Sequence, residues 1–196
     1  EETGSHYEIL LRMRDEAGAL VSPDLFISAA ERYGLISNID RWVVEHAFLW
    51  LVSEADERER LALCSINLSG SSLADNEFLP FVIRQFQRSG LDASKICFEI
   101  TETAAIASFA QASRFINALK ELGCKFALDD FGTGLSSFGY LKHFPVDYLK
   151  IDGSFVKEML HDPIDREMVR SINEIGHLTG KKVIAEWAEN EEIITM

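Results

Sequence analysis

The sequence predicts an α/β fold built from parallel strand and helix units. Two observations carry this: from residue 61 onward apolar strand-like runs alternate with amphipathic helical stretches, and each such run delivers a polar or charged residue at or near its C-terminal end. Six strands are counted, where a complete (β/α)8 barrel has eight, so the count fits an open doubly wound sheet as well as a barrel. The polar residues separate the two. Strand ends share one rim in a barrel, whereas an open sheet spreads them in steps of roughly 4.8 Å. A TIM-like barrel, incomplete over this stretch, is therefore expected.

Taken in order, residues 7–13 (YEILLRM) are expected as the first strand. Ser22 followed by Pro23 supplies a cap and a proline at the first helical position, opening a helix that runs to Tyr33 and Gly34. A second helix is expected over 39–52, closed by the charge run 54–60 (EADERER) as a solvated helix end or loop. Strands follow at 61–66, 95–100, 125–128, 147–151 and 182–185, with helices at 78–88, 109–122 and 164–178. Trp42, Trp50 and the helical phenylalanines are assigned to core rather than to base stacking.

Composition narrows the function. Of 196 residues, 47% are hydrophobic and 26% charged, a globular balance, and 32 acidic against 19 basic side chains give a net charge of -13. Such a surface repels DNA and anionic membranes, so a phosphate-bearing substrate needs local cations. Cys64, Cys97 and Cys124 are odd in number, far apart and set among apolar residues, which suits reduced core thiols and a cytoplasmic setting. No apolar run approaches the roughly 20 residues that cross a bilayer, so no membrane contact is expected from this segment. No G-x-S-x-G and no P-loop occur. The histidines, at 6, 46, 143, 161 and 177, lie at no metal-ligand spacing.

The strand tips carry the chemistry: Asn67 after CSI, Glu99 and Glu102 in FEITE, Asp129 and Asp130 after FAL, Lys150 and Asp152 in LKID, and Glu186 after VIA. Two adjacent aspartates closing an apolar run repel each other unless something positive lies nearby. Hard divalent cations with oxygen ligands are the usual remedy for such a cluster. Two ions about 3.5 to 4 Å apart suit in-line displacement at phosphorus, with Asp129 as the bridge. Lys150 lies in an apolar strand, and a buried lysine requires a partner. Plainer readings stand beside these: Asp129 and Asp130 as a helix cap, with Gly132 and Gly134 at positive φ; Asn67 to Ser69 as a turn; Glu99 and Glu102 as strand-end and capping residues; Asp152 as the cap of a helix starting near Ser154.

The stretches Glu8-Ile-Leu-Leu-Arg12, Asn67-Leu-Ser69, Glu99-Ile-Thr-Glu102, Asp129-Asp-Phe-Gly-Thr-Gly134, Leu149-Lys-Ile-Asp152 and Ala185-Glu186 together resemble the EAL domain family of bacterial cyclic di-GMP phosphodiesterases, in order and spacing, across nearly the whole chain. The resemblance implies a TIM-like barrel variant with an antiparallel first strand, two Mg²⁺ or Mn²⁺ ions, and hydrolysis of cyclic di-GMP to linear pGpG, with a catalytically inactive cyclic di-GMP receptor as the alternative. By motif match, Glu8, Asn67, Glu99 and Asp129 hold one ion, and Asp129, Asp130 and Glu186 the second. Lys150 contacts the nucleophilic water, Arg12 a substrate phosphate, and Asp152 and Glu189 complete the substrate contacts. Glu102 braces the loop from Asp129 to Gly134, and the loop and helix after Asp130 imply a homodimer. Glu8 and Arg12 are expected to share one strand face by period two. The resemblance also implies fused sensory or nucleotide-cyclase domains, in a cytoplasmic protein or the cytoplasmic part of a membrane-anchored sensor.

Two departures stand out. Where the family has Ala-Glu-Gly-Val-Glu-Thr, this chain has Ala185-Glu-Trp-Ala-Glu-Asn190, so Trp187 replaces a glycine; its ring either narrows the pocket or stacks with a guanine. The family's first strand is expected before Glu1 and its last strand and helix after Met196, so residues 1–196 are read as one EAL-type domain lacking those two parts.

Overall fold

The computed structural model describes residues 4–133 and 139–196. The chain divides into two compact units, Glu1–Phe98 with Ala110–Lys125, and Glu99–Phe109 with Phe126–Met196.

The first unit opens on strand β1 (Ser5–Ile9), whose alternation sets Tyr7 and Ile9 on one face and His6 and Glu8 on the other, exposed. The expected strand over 7–13 is corrected here. β1 stops at Ile9, and Met13 belongs to an antiparallel hairpin of β2 (Met13–Arg14) and β3 (Leu20–Val21). Asp15 builds the turn, its Oδ1 accepting from the Ala19 N–H at 2.8 Å, and Gly18 supplies the left-handed φ of +83°. Glu8 and Arg12 therefore share no strand: Arg12 lies exposed past the end of β1, its guanidinium donating to the Leu11 carbonyl at 2.9 Å.

Helix α1 (Pro23–Arg32) starts on its proline as expected, and α2 (Ile36–Ser53) begins three residues earlier than the sequence suggests. α2 buries Val43, Val44, Ala47, Phe48 and Leu51. Trp42 points elsewhere, 52% exposed and stacked on His46 one turn later, which corrects its assignment to the core. The run 54–60 folds into its own short helix α3 (Ala55–Arg60), with acids in its first turn, arginines in its last and no buried residue. β4 (Leu61–Leu68) pairs in parallel with β1, setting Glu8 opposite Ser65. After α4 (Gly70–Ala74) and α5 (Phe78–Ser89), a 3-10 turn leads into β5 (Ile96–Thr101), of which Ile96, Cys97 and Phe98 belong to this unit. Of the phenylalanines of α5, Phe78 and Phe86 are buried as expected, against Phe115 and Phe48 respectively, whereas Phe81 is half-buried.

The second unit holds the end of β5, α6 (Glu102–Ala107) and Phe109, from which α7 (Phe109–Lys120) continues into the first unit. It resumes with β6 (Lys125–Phe131), β7 (Tyr148–Ile151), α8 (Gly153–Glu158), α9 (Pro163–Leu178), β8 (Lys182–Ala185) and α10 (Glu191–Thr195). β6, β7 and β8 lie side by side, and both pairings are parallel. All four residues of β7 are buried, as expected of a parallel strand covered on both faces. Phe126, Leu128, Leu149, Ile151, Val156 and Ile172 form the core. The three cysteines are buried and free, and burial pushes the thiols of Cys64 and Cys124 up to about 12. All five histidines are exposed. Among the described residues no helix is long and apolar enough to cross a membrane.

Candidate active site

The adjacent aspartates are placed by an irregularity in the sheet. Leu128 pairs with Leu149 and Phe131 with Ile151, so Asp129 and Asp130 together stand opposite Lys150 alone. This is a β-bulge, one extra residue on β6. Asp130 takes the positive φ, 53°, a region that Asp tolerates better than most residues. In a regular strand neighbours point to opposite faces. The bulge cancels that alternation and lets both carboxylates serve one side. Among the described residues, carboxylate oxygens of Asp129, Asp130 and Glu186 lie within 4.8 Å of one another, a set that could hold a hard cation. The helix-cap reading of the aspartates is thereby corrected: both lie within β6, and positive φ falls on Asp130 and Gly132. Gly134 lies outside the described residues.

Lys150 sits at the centre. Its ammonium, on a side chain 6% exposed, lies 2.6 Å from Glu99, 2.8 Å from Glu186 and 3.1 Å from Asp129. Burial alone would lower the pKa of this amine, but the charges of Glu99 and Asp129 and the bonds to Glu186 and Glu99 outweigh it and hold the pKa above the usual lysine value. Asp130 is shifted upward by burial and by the negative charges of Asp129 and Asp152. Glu186 is shifted upward by burial as well, an effect its bond to Lys150 opposes. Three carboxylates thus face one ammonium, with Asp130 beside them in the cluster, and the surplus negative charge favours a divalent cation. The expectation that Lys150 is buried among acidic partners is met.

Glu102 reaches both described flanks of the loop after β6: Oε2 accepts from the Gly132 N–H at 3.2 Å and Oε1 from the Tyr140 hydroxyl at 2.7 Å. Asp152 caps α8, its Oδ1 accepting from the Ser154 N–H at 2.8 Å, and it also raises the pKa of Asp130. Glu189 is exposed and lies 3.9 Å from the Lys157 ammonium.

In the first unit the Asn67 amide donates to Glu8 Oε1 at 3.0 Å, so a carboxylate and an amide oxygen from neighbouring strands stand together. Ser69 lies past the end of β4 and caps α4, its Oγ accepting from the Ser72 N–H at 3.3 Å. Sequence reasoning missed Asp40. It is 6% exposed on α2, and its Oδ2 accepts from the Ser69 N–H and Oγ and the Ser72 Oγ at 2.8, 2.7 and 2.7 Å. Burial raises its pKa, against the lowering effect of those bonds. The signal was available: position 40 stands at helical spacing from Val43, Val44 and Ala47, an acid on an apolar face.

The EAL domain family model matches residues 2–196, and the chain belongs to the EAL domain family. Among its relatives are "Cyclic di-GMP phosphodiesterase PdeB" of Shewanella oneidensis, 42% identical over 95% of this chain and 22% of the relative, and "Cyclic di-GMP phosphodiesterase PdeF" of Escherichia coli, 39% identical over 96% of this chain and 25% of the relative. The chain thus spans about a quarter of the length of these relatives. Among solved structures, the FimX EAL domain of Pseudomonas aeruginosa bound to c-di-GMP superposes with a TM-score of 0.90 at 30% identity, covering 100% of this chain and 78% of that one. The PaMucR phosphodiesterase in complex with c-di-GMP gives 0.87 at 32% identity, covering 96% and 77%. The fold is accordingly the α/β, TIM-like fold of EAL domains, as the sequence predicts.

Proposed function

We propose that this chain is the catalytic module of a metal-dependent phosphodiesterase that opens cyclic di-GMP to linear pGpG. The observation that carries the reading is the carboxylate cluster of Asp129, Asp130 and Glu186, set around an ammonium already paired with Glu99. Relatives named as phosphodiesterases for this dinucleotide support the choice of substrate.

Asp129, Asp130 and Glu186 would hold a divalent ion, and the motif match assigns Glu8, Asn67, Glu99 and Asp129 to another. Mg²⁺ or Mn²⁺ held there would supply Lewis acidity. Lys150, its pKa held above the usual value, stays an ammonium at neutral pH. It therefore donates hydrogen bonds to the attacking water or to a phosphoryl oxygen, and takes no proton. The oxygen of that water bonds to phosphorus while the bond from phosphorus to the 3′ oxygen breaks. The water's proton passes to a carboxylate of the site. The 3′ oxygen leaves as a hydroxyl with a proton from solvent. Arg12 binds a substrate phosphate, Asp152 and Glu189 complete the substrate contacts, and Glu102 braces the loop after Asp130.

We further propose that residues 1–196 are the greater part of one such domain, within a longer cytoplasmic or membrane-anchored protein carrying sensory or nucleotide-cyclising modules. Dimerisation through the segment after Asp130 belongs to the same proposal. The test is chromatography of products after incubating the protein with cyclic di-GMP and Mg²⁺. Conversion to pGpG that stops on chelation is expected; tight binding with no pGpG would establish a receptor instead.

A further inference from the structure

Trp187 directly follows Glu186 and is held in an unusual way. It has φ of 54°, a left-handed conformation that costs a non-glycine residue about 1 to 2 kcal/mol. Yet the indole is not buried: Trp187 is 58% exposed. One side of it is fixed by α8. A Cβ added at Gly153 would meet the Trp187 Cγ at 2.7 Å, so the ring lies directly against that glycine's backbone. The Lys157 ammonium stands 3.5 Å from the ring centroid, and Glu189 lies 3.9 Å from that ammonium. Gly153 and Lys157 are four residues apart on one helix, so α8 supplies both contacts. More than half of Trp187 nonetheless stays open to solvent.

The position matters as much as the posture. Gly153 follows Asp152, whose charge reaches Asp130, and Trp187 follows Glu186, whose carboxylate belongs to the acidic cluster. The ring is thus tied on both sides to residues next to that cluster. An aromatic surface pinned in one orientation at an energetic cost, yet more than half open to solvent, has the form of a stacking platform. Clamping removes the entropy that a mobile side chain would lose on stacking.

We propose that the outer face of Trp187 stacks with a guanine base of the bound dinucleotide while the scissile phosphate lies at the carboxylate cluster. This deepens the phosphodiesterase reading and rests on it. Trp187 is then a specificity-determining residue that recognises a nucleobase and adds nothing to recognition of the phosphodiester itself.

Three measurements on the full-length protein test it. Cyclic di-GMP should quench the tryptophan fluorescence of the unaltered protein, and W187F should lose that quenching. Base stacking measured by alanine substitution corresponds to about 5- to 150-fold in affinity, so W187A should lose that much in kcat/KM for cyclic di-GMP, chiefly through KM. Its loss on an abasic dinucleotide, a phosphodiester with no bases or other aromatic rings, should be at least fivefold smaller, and W187F should recover most of the dinucleotide activity. Equal losses on both substrates, or no quenching, overturn the inference and leave Trp187 as a prop for Glu186. An unaltered protein that neither binds nor cleaves the dinucleotide overturns the underlying reading first, and the inference with it.

Discussion

Lys150→Met removes the ammonium while keeping the length of the buried stem, so it separates charge from packing. The lost group lies 2.6, 2.8 and 3.1 Å from three acids whose side chains are 4%, 20% and 13% exposed. Removing one partner of a buried ionic cluster and leaving the rest uncompensated costs about 3 to 5 kcal/mol. For a chain of this length that corresponds to a fall in Tm of about 6 to 20 °C without metal. The same carboxylates are the proposed ligands, so ammonium and divalent ion compete for one charge. Once the ammonium is gone, Mg²⁺ should raise Tm by more in K150M than in the unaltered protein, because ligand binding stabilises the fold in proportion to occupancy and affinity. Turnover should still collapse, since no donor remains for the attacking water. The assay is thermal unfolding with chelator and with Mg²⁺, alongside product chromatography. A stability loss below 1 kcal/mol, or equal Mg²⁺ shifts in both proteins, would refute the account of Lys150 as the internal counter-charge of the cluster.

Asp129→Asn keeps the shape of the bulge but removes a carboxylate that serves both Lys150 and the cluster; turnover should be abolished and Mn²⁺ should bind more weakly in calorimetric titration, and surviving activity would contradict the metal assignment. Protons compete with metal at Asp130 and Glu186, whose pKa values burial raises, so Mn²⁺ affinity should fall as pH drops and begin falling above the reference values of 3.8 and 4.5. The same shifts stabilise the metal-free fold at low pH and lose that contribution as pH rises through the raised values, a trend that denaturant titration between pH 4 and 7 reads directly. Asp40→Ala should destabilise by about 2 to 4 kcal/mol by stranding the Ser69 and Ser72 donors, with Asp40→Asn costing less because it still accepts and buries no charge; equal losses in denaturant midpoints would show that the three bonds contribute little. Cys64 and Cys124, with thiols pushed up to about 12, should resist thiol reagents at pH 8 until the protein unfolds. Because the folded thiol pKa lies above the unfolded one, their stabilisation is complete below about pH 9 and is lost toward pH 12, which alkaline denaturation curves would reveal.

The sequence by itself determined the alternation of strands and helices, because burial on both faces writes continuous apolar runs whatever the rest of the chain does. It also singled out Lys150, since a lysine inside such a run is intolerable without acids around it, and three acids are there. Tertiary structure alone decided how the acids meet. Period two places Asp129 and Asp130 on opposite faces; only the ladder with β7, offset by one residue, creates the bulge that brings both carboxylates into one cluster with Glu186. The end of β1 at Ile9 was equally invisible, because apolar alternation continues through Leu11 and the hairpin that claims Met13 depends on its partner Val21, eight residues further along. Asp40 and Trp187 complete the pattern. Helical spacing marks Asp40 as an acid on an apolar face and the missing glycine marks Trp187, but which residues hold them, Ser69 and Ser72 for the one and Gly153 and Lys157 for the other, follows from contacts between residues distant in sequence.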